Sequence, residues 1–162
     1  IVDDIAAILE RTAFPAQHLE LEITESLLIK DLKTAQDVLL ALKQLRVRIA
    51  LDDFGKGYSS LNYLTQFPID TLKIDKGFLS SILPEETSNI VLRNIITLGN
   101  ELKLDVIAEG VETHAQLLKL KQYNCKIVQG FLFSHALDVT QLEICLLHNQ
   151  LTLCEYVEVE NE

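Results

Sequence analysis

Methionine is absent from all 162 residues, and the chain opens at Ile1 inside an apolar pattern of helical spacing. The expectation from both features is a fragment of a longer polypeptide. No apolar run approaches the roughly 18 to 20 residues that a membrane helix needs, and no basic-then-apolar signal segment opens the chain. The expectation is a soluble, cytoplasmic chain without direct membrane contact. The three cysteines, Cys125, Cys145 and Cys154, form no CxxC pair, which argues against a disulfide framework or zinc knuckle and leaves reduced, partly buried thiols. His18, His114, His135 and His148 lack HxxxH spacing, so any metal must rely on oxygen ligands. Basic residues are scarce too. The 14 Lys and Arg stand against 24 Asp and Glu, a net charge of −10 that argues against binding a nucleic-acid polymer through its phosphates. An anionic ligand would need a cationic mediator.

What is present is a hydrophobic content of 48%, enough for a sizeable core. Apolar segments of strand length alternate with helical patterns, the signature of βα units around a parallel sheet. Five strands are predicted: Leu19 to Ile23, Val47 to Asp52, Thr71 to Asp75, Asp105 to Glu109 and Lys126 to Gln129. Helical spacing is carried by Ile5, Ile8 and Leu9; by Val38, Leu39, Leu42 and Leu45; and by Leu61, Leu64 and Phe67 up to Pro68. A fourth helix over Asn89 to Leu102 has its apolar face at Val91, Ile95, Leu98 and Leu102. Thr113 and Gln116 form a capping box for a helix to about Tyr123, and a last helix runs from Thr140 to about His148. No linker divides the chain, so residues 1–150 read as one domain. The tail 151–162 alternates with period two over Leu151 to Val159 and could add an edge strand.

Polar residues fall at the C-terminal end of every predicted strand: Glu22, Asp52 with Asp53, Lys73, Glu109 and Gln129. That end is where parallel α/β folds bind ligands. Period two puts Glu20, Glu22 and Thr24 on one face and Leu19, Leu21 and Ile23 on the other. Clustered Glu22, Asp52, Asp53 and Glu109 could not all stay ionised without compensation, and two divalent cations supply it. Hard oxygen donors favour Mg²⁺, Mn²⁺ or Ca²⁺ over zinc, the layout of a two-metal phosphodiester hydrolase. Each residue also has a plain reading. A strand-end carboxylate can be solvated surface, Lys73 can snorkel, Gln129 can satisfy backbone groups, and Gly55 and Gly57 can make an ordinary turn.

The strings LELEITES (19–26), LDDFGKGYSSL (51–61), FPIDTLKID (67–75), VIAEGVET (106–113) and VQGFLFS (128–134) resemble, in order and spacing, the EAL family of cyclic di-GMP phosphodiesterases. The resemblance covers nearly all of residues 1–148. It implies an α/β fold, an incomplete TIM-like barrel of about five parallel strands with flanking helices, the N-terminal strands missing. It implies metal-dependent hydrolysis of cyclic di-GMP to linear pGpG in the parent protein, the fragment itself being weak or inactive. Glu22 and Asp52 would bind one metal, and Asp52 and Asp53 the second, as Mg²⁺ or Mn²⁺ with Ca²⁺ inhibitory. Glu109 would be the general base or hold the attacking water, with Lys73 and Gln129 on that water or the phosphate. Glu25 would anchor the loop containing Gly55 and Gly57, a site organiser tied to dimerisation. Glu112 would stand near substrate or simply start a helix.

The upstream Glu of the E-A-L tripeptide, an Arg near it and a metal-binding Asn are expected before Ile1. His135-Ala136 departs from the family's usual Arg-Pro. Expected partners are cyclic di-GMP, a second copy covering the open sheet edges, and upstream sensor or GGDEF-type domains through which the parent could be membrane-anchored. The alternative is a noncatalytic cyclic di-GMP sensor module.

Overall fold

A computed structural model describes residues 1–55, 62–80 and 86–147. Its elements in chain order are α1 (Val2–Thr12), a 3₁₀ turn (Ala16–His18), β1 (Glu20–Thr24), α2 (Glu25–Lys30), α3 (Leu32–Gln44), β2 (Arg48–Phe54) and α4 (Asn62–Gln66). They continue with β3 (Thr71–Ile74), α5 (Gly77–Ser80), α6 (Glu86–Glu101), β4 (Asp105–Glu109), α7 (His114–Gln122), β5 (Ile127–Gln129) and α8 (Val139–Leu147). All five predicted strands form, with bounds displaced by no more than two residues. They make one parallel sheet in the order β1-β2-β3-β4-β5, flanked by helices, as an incomplete TIM-like barrel requires.

The reason lies in the apolar pattern. Leu72 and Ile74 of β3 are fully buried, and Thr71 and Lys73 on its other face are buried as well, as in a sheet covered on both sides. Ile49, Ala50 and Leu51 do the same for β2. Asp31 caps α3 by accepting from Thr34 N at 3.2 Å, and its hydrogen bonds with the Thr34 side chain and backbone lower its pKa. The capping box of α7 forms as predicted, Gln116 N donating to Thr113 Oγ1 at 3.2 Å while Gln116 Oε1 accepts from Thr113 N at 3.0 Å.

One expectation needs revision. Val91 is 42% exposed, and the inner face of α6 is carried by Leu92 and Ile96 together with the predicted Ile95; the helix begins at Glu86, three residues early. Helix α1 forms, but none of its residues is buried and Ile8 is 48% exposed. Helices α2 and α5 are too short for a 3.6-residue period to show in the sequence. Gly57, Leu61, His148 and the tail with Cys154 lie outside the described residues.

The chain forms two compact units. The first is Ile1–Asp75 with Leu98–Val106, and the second is Lys76–Thr97 with the chain from Ile107 onward. Strand β4 is shared, Asp105 and Val106 belonging to the first unit and Ile107–Glu109 to the second.

Candidate active site

In the first unit, register brings three strand ends together. Glu22 pairs with Ala50 and Ala50 with Thr71, so Glu22, Asp52 and Lys73 share one face by the two-residue period. The buried Lys73 side chain donates from Nζ to Glu22 Oε1 at 2.5 Å, and the same Nζ lies 3.7 Å from Asp52 Oδ1. Two carboxylates thus converge on a single positive charge. Glu22 keeps 53% of its side chain exposed, whereas Asp52 keeps 22%, so one carboxylate remains open to an incoming ligand.

The Asp52-Asp53 pair sits on a β-bulge. Leu51 pairs with Leu72 and Phe54 with Ile74, so three steps of β2 match two of β3. Asp53 takes up the extra residue at φ 57, and its N–H donates to Asp52 Oδ1 at 2.8 Å. Successive residues of a regular strand face opposite sides, and the bulge breaks that alternation at two neighbouring carboxylates. Aspartate tolerates this left-handed backbone better than most residues. Gly55 comes next but one at φ 99, the positive angle expected of it. Glu25 opens α2 directly after β1, and it is buried at 5% exposure; a carboxylate in the first turn of a helix meets the positive end of the dipole.

In the second unit, Glu109 and Gln129 are register partners at the ends of β4 and β5. Val111 N–H donates to Gln129 O at 3.0 Å, and Leu132 N–H to Val111 O at 2.9 Å, lacing the loops after the two strands together. Gly130 permits this approach, since a Cβ there would collide with the Val111 backbone. Glu112 is exposed, and its N–H donates to Gln116 Oε1 at 2.8 Å at the start of α7. His135, the departure from Arg, stacks on Phe131 with ring centroids 4.2 Å apart.

Among the described residues, no three His, Cys, Asp or Glu side chains form a ready-made metal cage. The donor chemistry nonetheless fits a hard cation, because Glu22 and Asp52 present oxygens to one centre of positive charge. Sequence reasoning missed a second polar cluster on the same face. Arg48 Nε donates to Glu20 Oε1 at 3.1 Å, and its NH2 group donates to Thr71 Oγ1 at 3.0 Å and Asp105 Oδ2 at 2.5 Å. Burial opposes the Arg48 charge, but the bonds to Asp105 and Glu20 outweigh it and hold the pKa above the ordinary arginine value. The available signal was the alternation that puts Glu20 beneath Glu22 and Arg48 beneath Asp52. A third pair missed is Lys43 Nζ on both Asp70 oxygens at 2.7 Å, with Asp70 Oδ2 accepting from Ile49 N.

A parallel, barrel-type α/β sheet with acidic residues and a buried lysine at its C-terminal strand ends defines a class of ligand-binding and hydrolytic domains. The chain belongs to the EAL domain family, whose pattern matches residues 1–136. It is 41% identical over 143 residues to the cyclic di-GMP phosphodiesterase NbdA of Pseudomonas aeruginosa, covering 88% of this chain and 18% of NbdA. The solved PaMucR phosphodiesterase in complex with c-di-GMP superposes with a TM-score of 0.82 at 39% identity, over 87% of this chain and 57% of that one. BlrP1 of Klebsiella pneumoniae, solved with manganese and cyclic di-GMP, gives 0.77 at 30% identity over 82% of this chain and 35% of that one; it has also been solved with calcium. The chain spans about a fifth of the length of the curated relatives it matches.

Proposed function

We propose that the chain supplies the C-terminal part of a domain that hydrolyses cyclic di-GMP to linear pGpG with two divalent ions, Mg²⁺ or Mn²⁺. The observation that carries this reading is the meeting of Glu22 and Asp52 on one positive charge at adjacent strand ends. Family membership and similarity to proteins solved with c-di-GMP and manganese support it.

In this reading Glu22 and Asp52 hold one ion, while Asp52 and Asp53 hold the other. The ions would lower the pKa of water and neutralise phosphoryl oxygens during in-line displacement. Glu109 accepts the proton of the attacking water or fixes its orientation. Lys73 and Gln129 hold that water or the phosphate, and the loop from Gly55 through Gly57, anchored by Glu25, keeps the Asp pair in place. Glu112 stands on the substrate side or serves only to open α7. Calcium, with its looser coordination geometry, would bind without supporting turnover. The proposal includes self-association along the open edges and attachment to sensor or GGDEF-type domains. MucR, named a bifunctional diguanylate cyclase and phosphodiesterase, is similar to this chain and offers a precedent.

The test is chromatographic assay of cyclic di-GMP turnover in the full-length protein with Mg²⁺, Mn²⁺ or Ca²⁺. Asp52→Asn and Glu109→Ala are each expected to lower kcat by at least about a hundredfold, the lower range for losing acid–base catalysis. Unchanged turnover in either variant removes that residue from its role, and binding of cyclic di-GMP without turnover in the unmutated protein favours the sensor reading.

A further inference from the structure

We propose that Arg48 is a positioning residue for the candidate centre, setting the spacing at which Glu22 and Asp52 meet a cation. The inference rests on the reading that these carboxylates hold divalent ions. It starts from a single side chain on β2 that binds partners on three other strands: Glu20 on β1, Thr71 on β3 and Asp105 on β4. Thr71 Oγ1 closes the network by donating to Glu20 Oε1 at 2.5 Å. From β2 to β4 is two strand spacings, roughly 10 Å on a flat sheet, and the fork covers that span.

Each residue of this network on β1, β2 and β3 stands below a residue of the centre on the same face. Glu20 is two residues before Glu22, Thr71 two before Lys73, and Arg48 four before Asp52. At about 3.3 Å per residue the network lies roughly 7 Å beneath the Glu22–Lys73 pair. Strands paired through their backbones move as units, so the separation fixed at the lower rung is passed to the upper one. In the upper rung Glu22 is half exposed where it reaches across to Lys73.

The chemistry of the fork matters as much as its charge. Guanidinium directs several N–H groups in one plane at separate acceptors, which a lysine ammonium on the same backbone position cannot reproduce. Without Arg48, Glu20 and Asp105 would lose the one cation that holds both carboxylates. Arg48 is itself 38% exposed, and ion pairs of that exposure contribute little to global stability. A position that matters to geometry and little to stability is what a positioning residue requires.

Binding of Mn²⁺, followed by the electron paramagnetic resonance of the free ion, separates this from a general structural role. Arg48→Met is expected to weaken Mn²⁺ binding roughly tenfold or more, the range found when groups supporting metal ligands are removed. Arg48→Lys should fall between Arg48→Met and the unmutated protein, and it covers the case in which Arg48→Met fails to fold. Lys43→Met is the control, because it breaks the Lys43–Asp70 pair in the same unit while leaving the side-chain bonds of Arg48 and Thr71 in place, and its Mn²⁺ affinity should stay unchanged. Unaltered affinity in Arg48→Met, or equal loss in Lys43→Met, overturns the inference while the proposed function stands. Absence of Mn²⁺ binding in the unmutated protein removes both.

Discussion

Lys73 occupies the position on which the first unit's candidate chemistry turns, and its burial explains why. An ammonium with 8% exposure has lost most of its hydration, so it requires carboxylates in contact, and Glu22 and Asp52 meet that need. The same electrostatics suits the two carboxylates to a hard cation. Cys125 shows the opposite effect of burial. Lying in the core, its thiol has a pKa pushed up to about 11. Because folding raises this value, the contribution to stability is intact below the ordinary thiol range and is lost as pH climbs through it toward 11. Native protein at about pH 8 should therefore react with iodoacetamide at Cys125 on the order of a hundredfold more slowly than an unfolded control, as thiolate is the reactive form. Peptide mapping of the labelled cysteines checks this, and equal rates would contradict the burial.

At the scale of the element, chain direction and local caps decide where functional groups stand. Each strand ends near its polar residue, and a local device there turns the backbone without disturbing that residue. After β1, Glu25 starts a helix at once. Within β2 the bulge at Asp53 admits a second carboxylate, and after β5 Gly130 lets the loop lie against Val111. The cap of α7 comes directly after the loop that leaves Glu109, so its strength bears on that loop. Thr113→Ala removes the acceptor for Gln116 N, and a loss of about 1 kcal/mol is expected by chemical denaturation. A loss below a few tenths would mean that the cap is redundant with the Gln116 side-chain bonds to Glu112 N and Thr113 N.

At the scale of the molecule, β1 and β5 each have one neighbour in the sheet among the described residues. Open edges and exposed apolar helix faces such as α1 favour association with further protein surface. Sedimentation velocity over increasing concentration of this chain should show a rising weight-average coefficient. A single monomeric boundary throughout would remove self-association from the proposal. The net charge of −10 opposes such association at low ionic strength, so added salt should strengthen it.

Most of the architecture was legible in the sequence because burial on both faces of a parallel sheet leaves strand-length apolar segments such as Ile49–Leu51, set off by helices of different period. The strand-end residues were legible for the same reason, since each interrupts an apolar pattern at the point where the sheet stops. The bulge at Asp53 was not, because one extra residue in a strand alters register without altering composition. The Arg48 network was not, because it joins residues 20, 48, 71 and 105, and no local pattern encodes which side chain spans two strands. Sequence by itself determined the order of the strands, the family and the residue types available for chemistry, all consequences of hydrophobic period, turn preference and motif order. Tertiary structure alone decided that Lys73 stands between Glu22 and Asp52 and that Arg48 reaches Asp105, because side-chain contacts between strands depend on register and packing.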